Sequence, residues 1–210
     1  MIDIGANIGI VTAVLAELVG SKGRVYAFEP NPELCGLLRK MIKRNQYENV
    51  SLYETALGDE EGELELAVPH GHSGGASFVR RTQDSASVRV SVRRLSPILR
   101  DADAKSVRLV KLDVEGFELE VLLGAREWFK DHAPDAILFE LNDSATKQDC
   151  HPTVRVLQEL GFAFFSIPRT LIRPRLREYK PDEGGVPESS DLLAVRTGEK
   201  LAEIGPLVSR

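Results

Sequence analysis

Residues 1–10, MIDIGANIGI, set Asp3, Gly5, Asn7 and Gly9 directly behind a short apolar start. Apolar residues, then spaced glycines, then a second apolar run predict a buried strand that turns through glycine into a helix. Such a turn lets a ligand come close to the backbone. In an open α/β sheet the first turn of this kind lies at the carboxyl ends of the strands, where ligands bind. Asp3 sits in an otherwise buried strand, and because an unpaired charge there is costly, it points to function. Asn7 is open to two readings, as a ligand contact or as the cap of the following helix.

Outward from this turn, strands and helices alternate. Ile8, Val11, Leu15 and Leu18 predict one helical face, with Gly20 placed to end the helix. RVYAF (24–28) predicts a second strand, followed by Glu29. Asn31 before Pro32 is either an N-cap or a ligand contact, and Leu34, Leu37, Leu38, Met41 and Ile42 keep the helical period. NVSLYE predicts a third strand. ELELAV and SVRVSVR predict an added hairpin or edge pair around the glycine-rich PHGHSGGAS.

SVRLVKLD predicts a strand ending at Asp113, FELEVLLG a short helix, and DAILFELN a strand ending near Glu140 and Asn142. A helix from Pro152 to Leu160 follows, then strands FAFFSI and DLLAVR, whose helix-free link permits an antiparallel last strand. The alternation implies an α/β class with an open, mostly parallel sheet covered on both faces, in a single domain over residues 1–210.

The 210 residues, 42% hydrophobic, suffice for one core. A net charge of -5 argues against nucleic-acid or anionic-membrane binding. Cys35 and Cys150 lie far apart with no CxxC spacing, which predicts two reduced thiols and neither a disulfide framework nor a zinc site. The apolar stretch Ile8–Val19 is too short to span a bilayer and follows no basic segment, so a cytoplasmic chain without membrane insertion is expected.

Glu29 stands about 20 residues beyond the first turn, the spacing at which an acid binds ribose hydroxyls. A pyrophosphate cofactor would want the G-x-G-x-x-G turn and no acid before it, whereas Asp3 suits a cation. S-adenosylmethionine (SAM), which carries an ammonium and a sulfonium, fits both acids. A nicotinamide-dependent oxidoreductase is disfavoured by the missing glycine and by Asp3. Methyl transfer requires alignment and exclusion of water but no metal. For a hydroxyl acceptor the base candidates are Asp113, then Glu115, then His70 and His72. Glu115 serves equally as a helix-start acid, and the histidines as surface residues of their loop. Arg169, Arg173, Arg175, Arg177 and Lys180 follow the FAFFSI strand. They suit an anionic acceptor, with a merely solvated loop as the alternative.

DIGANIG, AFEPNP, ALGDEEGELEL, SGGAS and above all KLDVEGFELEVLLGA resemble the successive motifs of the FkbM-type SAM-dependent methyltransferases, from Met1 to about Asp143. The resemblance implies a Rossmann-like seven-stranded sheet with a reversed last strand. It also implies methyl transfer from SAM to oxygen of a sugar, lipid-linked or natural-product acceptor. By the same resemblance Asp3, Gly5, Asn7 and Gly9 surround the methionine part of SAM and Glu29 holds the ribose. Ala56 and Leu57 sit beside adenine, and Asp113 faces the methionine amine or the acceptor. Two departures stand out: RRLSPIL places Ser96 where the family usually has an acid, and the beginning of the first strand is absent. They keep a catalytically silent SAM-binding or partner-binding domain as the alternative.

Overall fold

Strands whose successive residues face opposite sides build the molecule from its middle outward. Ile2 and Ile4, Tyr26 and Phe28, Val110 and Leu112, Ile137 and Phe139 all turn one way into the largest apolar cluster, as expected when neighbouring strands share a side-chain period of two. The computed structural model describes residues 1–69, 85–141, 151–168, 175–183, 187 and 189–208. Within them the order is β1 (Ile2–Ile4), α1 (Ile10–Val19), β2 (Val25–Phe28), α2 (Pro32–Arg44), β3 (Val50–Tyr53), β4 (Ala56–Leu57), β5 (Gly62–Pro69), β6 (Ser85–Arg93) and α3 (Leu95–Asp101). The chain continues through β7 (Leu109–Leu112), α4 (Glu118–His132), β8 (Ala136–Glu140), α5 (Pro152–Glu159), β9 (Phe162–Ser166), β10 (Arg177–Tyr179), β11 (Asp191–Arg196) and α6 (Glu199–Ile204).

The main sheet runs β10-β9-β11-β8-β7-β1-β2-β3. Strands β3, β2, β1, β7 and β8 are mutually parallel, while β11 lies antiparallel between β8 and β9. The expected reversed last strand is therefore present. An eighth strand, β10, is added antiparallel at the β9 edge, inside the link that the sequence leaves without structure. The predicted hairpin is the antiparallel pair β5–β6, which joins β4 in a separate three-stranded sheet instead of extending the main one. Among the described residues no helix is long and apolar enough to cross a membrane.

Helices α3, α4 and α5 supply Leu95, Leu99, Leu122, Phe129 and Leu157 to the large cluster on one face. On the other face α1 and α2 cover β1 to β3 through Leu15, Ala16 and Leu38. The helical faces differ from the sequence expectation. Of Ile8, Val11, Leu15 and Leu18, only Leu15 is buried, and α1 packs through Thr12, Leu15 and Ala16. Ile10, Val14 and Leu18 stand 69%, 55% and 67% exposed. In α2, Leu37 is exposed and Cys35 takes the inward position. Helix α4 runs well past the predicted FELEVLLG because Gly124 is an interior contact point and not a stop: a Cβ there would lie 2.0 Å from the Gly58 carbonyl oxygen. Ser96 reinforces this packing, since its hydroxyl donates to Gly124 O at 2.9 Å and accepts from Trp128 N at 3.2 Å, bridging α3 to the α4 ladder.

Two glycine substitutions in helices should therefore act in opposite directions. Gly124→Ala must push α4 off a backbone carbonyl and should lower stability by about 1–3 kcal/mol, the usual range for overpacking. Gly36→Ala, in α2, meets nothing within 4 Å and should raise stability by up to about 1 kcal/mol through helix propensity. Urea unfolding followed by Trp128 fluorescence measures both.

Candidate functional site

Chain order reverses between β1 and β7: from β1 the sheet grows through β2 and β3 on one side and β7 and β8 on the other. Such a switch point leaves a crevice outside the carboxyl ends of the two strands, and the residues singled out in the sequence gather there. Gly5 follows β1 with φ 74°, and a Cβ on it would lie 1.9 Å from the Asp113 carbonyl oxygen. Only glycine combines that angle with that approach. The amides of Gly5 and Ala6 both donate to Phe28 O at 3.0 Å, tying the turn to β2. Asn7 takes a left-handed φ of 53°, which asparagine tolerates better than most residues. Gly9, φ 91°, is the N-cap of α1 with no side-chain cap bond, and a Cβ there would meet Leu38 at 2.3 Å.

Asp3 is wholly buried, and its Oδ2 accepts from the Thr12 hydroxyl at 2.6 Å. Its Oδ1 has no hydrogen-bond partner among the described residues. Burial pushes the Asp3 carboxyl above its ordinary range, against the pull of Lys111 and Thr12. Lys111 Nζ stands 3.8 Å from that bare oxygen, 3.3 Å from Asp113 Oδ2 and 2.7 Å from the Gly5 carbonyl, to which it donates. Glu29 is buried at the end of β2, accepting from Asn7 N at 2.8 Å and Asn31 N at 2.9 Å, one on each oxygen. Burial raises its carboxyl, and the two amides oppose the rise. Beneath it the Cys35 thiol donates to Glu29 O at 3.0 Å and is pushed up to about 12 by burial.

Asp3, Gly5, Asn7, Gly9, Glu29, Asn31 and Asp113 thus converge on one crevice, but the two asparagines differ. Asn31 is the N-cap of α2, accepting from Glu33 N at 3.0 Å, while its buried side-chain amide nitrogen has no partner among the described residues. Asn7 does not cap α1; its side-chain oxygen accepts from Ile8 N instead. Ala56 and Leu57 are buried in β4, the first against the hairpin cluster of Leu66, Val90 and Val92, the second in the main core. The Asp113 side chain is 42% exposed at the end of β7. Beside it a cavity of about 280 Å³ is lined by Lys111, Asp113, Leu138, Glu140, Ile167 and Asp191. Glu115 has a left-handed φ of 54° in the loop that follows. Arg175 and Lys180 are exposed, and Arg177 is exposed opposite Ser166, at the carboxyl end of β9. His70, His72, Arg169, Arg173 and Cys150 lie outside the described residues.

Two residues that the sequence did not single out organise this crevice. Lys111 is one, hidden by its place inside an apolar strand. Glu118 is the other: buried at the start of α4, its Oε1 accepts from Gly116 N at 3.1 Å and Val114 N at 3.3 Å, gripping the loop that carries Asp113 and Glu115. The spacing from Asp113 to Glu118 across a glycine was the available signal, since a helix-start acid often bonds free amides of the preceding turn. Among the described residues no group of three metal-ligating side chains comes together.

The family model described as Methyltransferase FkbM domain matches residues 3–164. "Methyltransferase 1" of Beauveria bassiana is 28% identical over 182 residues, covering 78% of this chain and 72% of that protein. The 2-O-methyltransferase NoeI of Sinorhizobium fredii is 24% identical over 142 residues, 60% of this chain and 57% of its own length. The crystal structure of a methyltransferase FkbM from Methylobacillus flagellatus superposes with a TM-score of 0.53 at 18% identity, covering 93% of this chain and 42% of that one. That likeness shows the same fold, a mostly parallel α/β sheet.

The raised Glu118 carboxyl gives the crevice a pH signature. Burial raises it in the folded protein, so the stability this group contributes is complete below the ordinary glutamate pKa of about 4.3 and is lost as pH rises through the folded value. Glu118→Gln keeps an acceptor for the two amides and removes the titration. The stability of the variant relative to wild type should be flat below pH about 4 and grow in the variant's favour above it. Guanidinium unfolding across pH 3–7 measures the difference; a gap that does not change with pH would contradict it.

Proposed function

The chain belongs to the FkbM methyltransferase family, and from that premise we propose that it transfers a methyl group from SAM to a hydroxyl oxygen of a sugar, lipid-linked or natural-product acceptor. The observation that carries the cofactor assignment is the buried Asp3 carboxylate, whose Oδ1 has no hydrogen-bond partner among the described residues, beside a turn of left-handed glycines. A buried acid before the turn repels a pyrophosphate and attracts a cation, so the residues present fit a cofactor with an ammonium and a sulfonium. Glu29 fits the ribose: each oxygen accepts one amide, and a carboxylate has further lone pairs for two hydroxyls. Oxygen as the acceptor atom is supported by the 2-O-methyltransferase named among the relatives.

Bound SAM supplies a methyl group already activated by the sulfonium, so the work left to the protein is alignment and exclusion of water. Asp3, the turn from Gly5 to Gly9 and the uncapped start of α1 would hold the amino-acid end, and Glu29 the ribose. Asp113, accessible at the end of β7 and beside the cavity, would orient the acceptor hydroxyl or take its proton. Glu115, held two residues on in a strained conformation, is the second candidate. The proposed acceptor is a small molecule or glycan. Arg175 and Arg177, exposed near the carboxyl end of β9, favour one that carries negative charge away from its reacting hydroxyl.

Calorimetry with SAM and its demethylated product, S-adenosylhomocysteine, tests the cofactor. Both should bind, and Glu29→Ala should weaken both by about 1.5–3 kcal/mol, the range for hydrogen bonds to a charged group. Binding of NADH without SAM would overturn the reading. Once an acceptor is found, Asp113→Asn should cut turnover by about 100- to 10,000-fold while SAM affinity falls far less. Equal losses would make Asp113 a cofactor ligand only.

A further inference from the structure

We infer that Lys111 is the positioning residue of this site: it holds the Asp113 carboxylate beside the glycine turn and offsets part of the negative charge that the turn presents to a cationic cofactor. The inference rests on the methyl-transfer reading above. Asp3 and Lys111 are register partners on β1 and β7, so their side chains leave the same face of the sheet. A lysine at such a position is seldom buried without a partner. The partners of Lys111 among the described residues belong to the crevice: the Gly5 carbonyl at 2.7 Å, Asp113 Oδ2 at 3.3 Å and Asp3 Oδ1 at 3.8 Å. Its side chain is only 13% exposed, so the ammonium is screened little and bears on both acids.

The charge arithmetic gives the arrangement its purpose. Asp3, Glu29 and Asp113 bring three acids to the crevice, and Lys111 is the cation that reaches Asp3 and Asp113. SAM carries an ammonium, a sulfonium and a carboxylate, one net positive charge; S-adenosylhomocysteine, lacking the sulfonium charge, is neutral overall. Transfer would move the methyl carbon to the acceptor oxygen, return the S–C electron pair to sulfur, discharge the sulfonium and pass the hydroxyl proton to Asp113 or to solvent. Excess negative charge at the turn would stabilise the charged reactant more than the transition state, which slows the step. Lys111 offsets one carboxylate and limits that ground-state preference. The same ammonium fixes Asp113 through a charge-assisted contact, which is stronger and better oriented than a neutral one.

Binding of SAM and S-adenosylhomocysteine to wild type, Lys111→Met and Lys111→Arg distinguishes this role from simple structural support. The two ligands differ by one methyl group and one charge. Loss of a purely structural pin weakens both alike. Loss of a nearby positive charge favours the cation, so the ratio of the S-adenosylhomocysteine Kd to the SAM Kd should rise about three- to tenfold in Lys111→Met, a difference of about 0.6–1.4 kcal/mol. Lys111→Arg should keep the wild-type ratio. If Lys111→Met does not fold, Lys111→Gln, neutral yet able to donate to Gly5 O, carries the same expectation. An unchanged ratio in the neutral variant overturns this inference alone, whereas a wild-type chain that binds neither ligand overturns the cofactor reading and this inference with it.

Discussion

Strands β1 and β7 leave the sheet so close together that a side chain on Gly5 would collide with the backbone of Asp113. That approach brings the first turn, the β7 end and the Lys111 ammonium into one crevice, and the rest of the site is arranged around it. Because Gly5 has no Cβ, its carbonyl can face Lys111. Because β1 and β7 are in register at Asp3 and Lys111, the buried acid has a cation within reach. A shift of one residue in that register would turn Lys111 toward the opposite face, into the apolar cluster beneath α4.

Three buried carboxylates, Asp3, Glu29 and Glu118, are compensated in three ways. Asp3 has a hydroxyl and a nearby ammonium. Glu29 and Glu118 each have two backbone amides, which cost no side-chain entropy to hold in place. The amide-bound acids act as staples: Glu29 joins the turns after β1 and β2, and Glu118 closes the loop after β7. Loops that must meet a ligand are thereby fixed by acids at the feet of the following elements, leaving the crevice itself open. In all three, burial disfavours the charged form more than the surrounding dipoles and the Lys111 ammonium favour it, so each carboxyl is raised above its ordinary range.

The places of the strands along the chain and the first-turn acid were legible in the sequence because short apolar runs end in glycine or an acid, a signal that survives without tertiary information. Asp3, Gly5, Glu29 and Asp113 all belong to that class. Lys111 was not legible: a single lysine in SVRLVKLD looks the same whether it points to solvent or to a buried acid, and only the β1–β7 register decides. The face of α1 was misread for a related reason. IVTAVLAELV is apolar on nearly every side, so periodicity cannot say which side meets the sheet, and the inward residue Thr12 was hidden by its polarity. The strand β10 escaped notice because its exposed residues, Arg177 and Glu178, resemble those of a loop.

The outward side of α1 also affects how the molecule is observed. Ile10, Val14 and Leu18 form an apolar ridge at the folded surface, and environment-sensitive dyes partition onto surfaces of this kind. A dye-based melting curve would begin with a bright baseline that reports the native helix, and heating would first change how the dye sits on that ridge. The indole of Trp128 is buried on the far face of the sheet and stacked at 4.8 Å on His132. It reports only when α4 leaves the core, so the two optical signals from one sample describe opposite sides of the sheet.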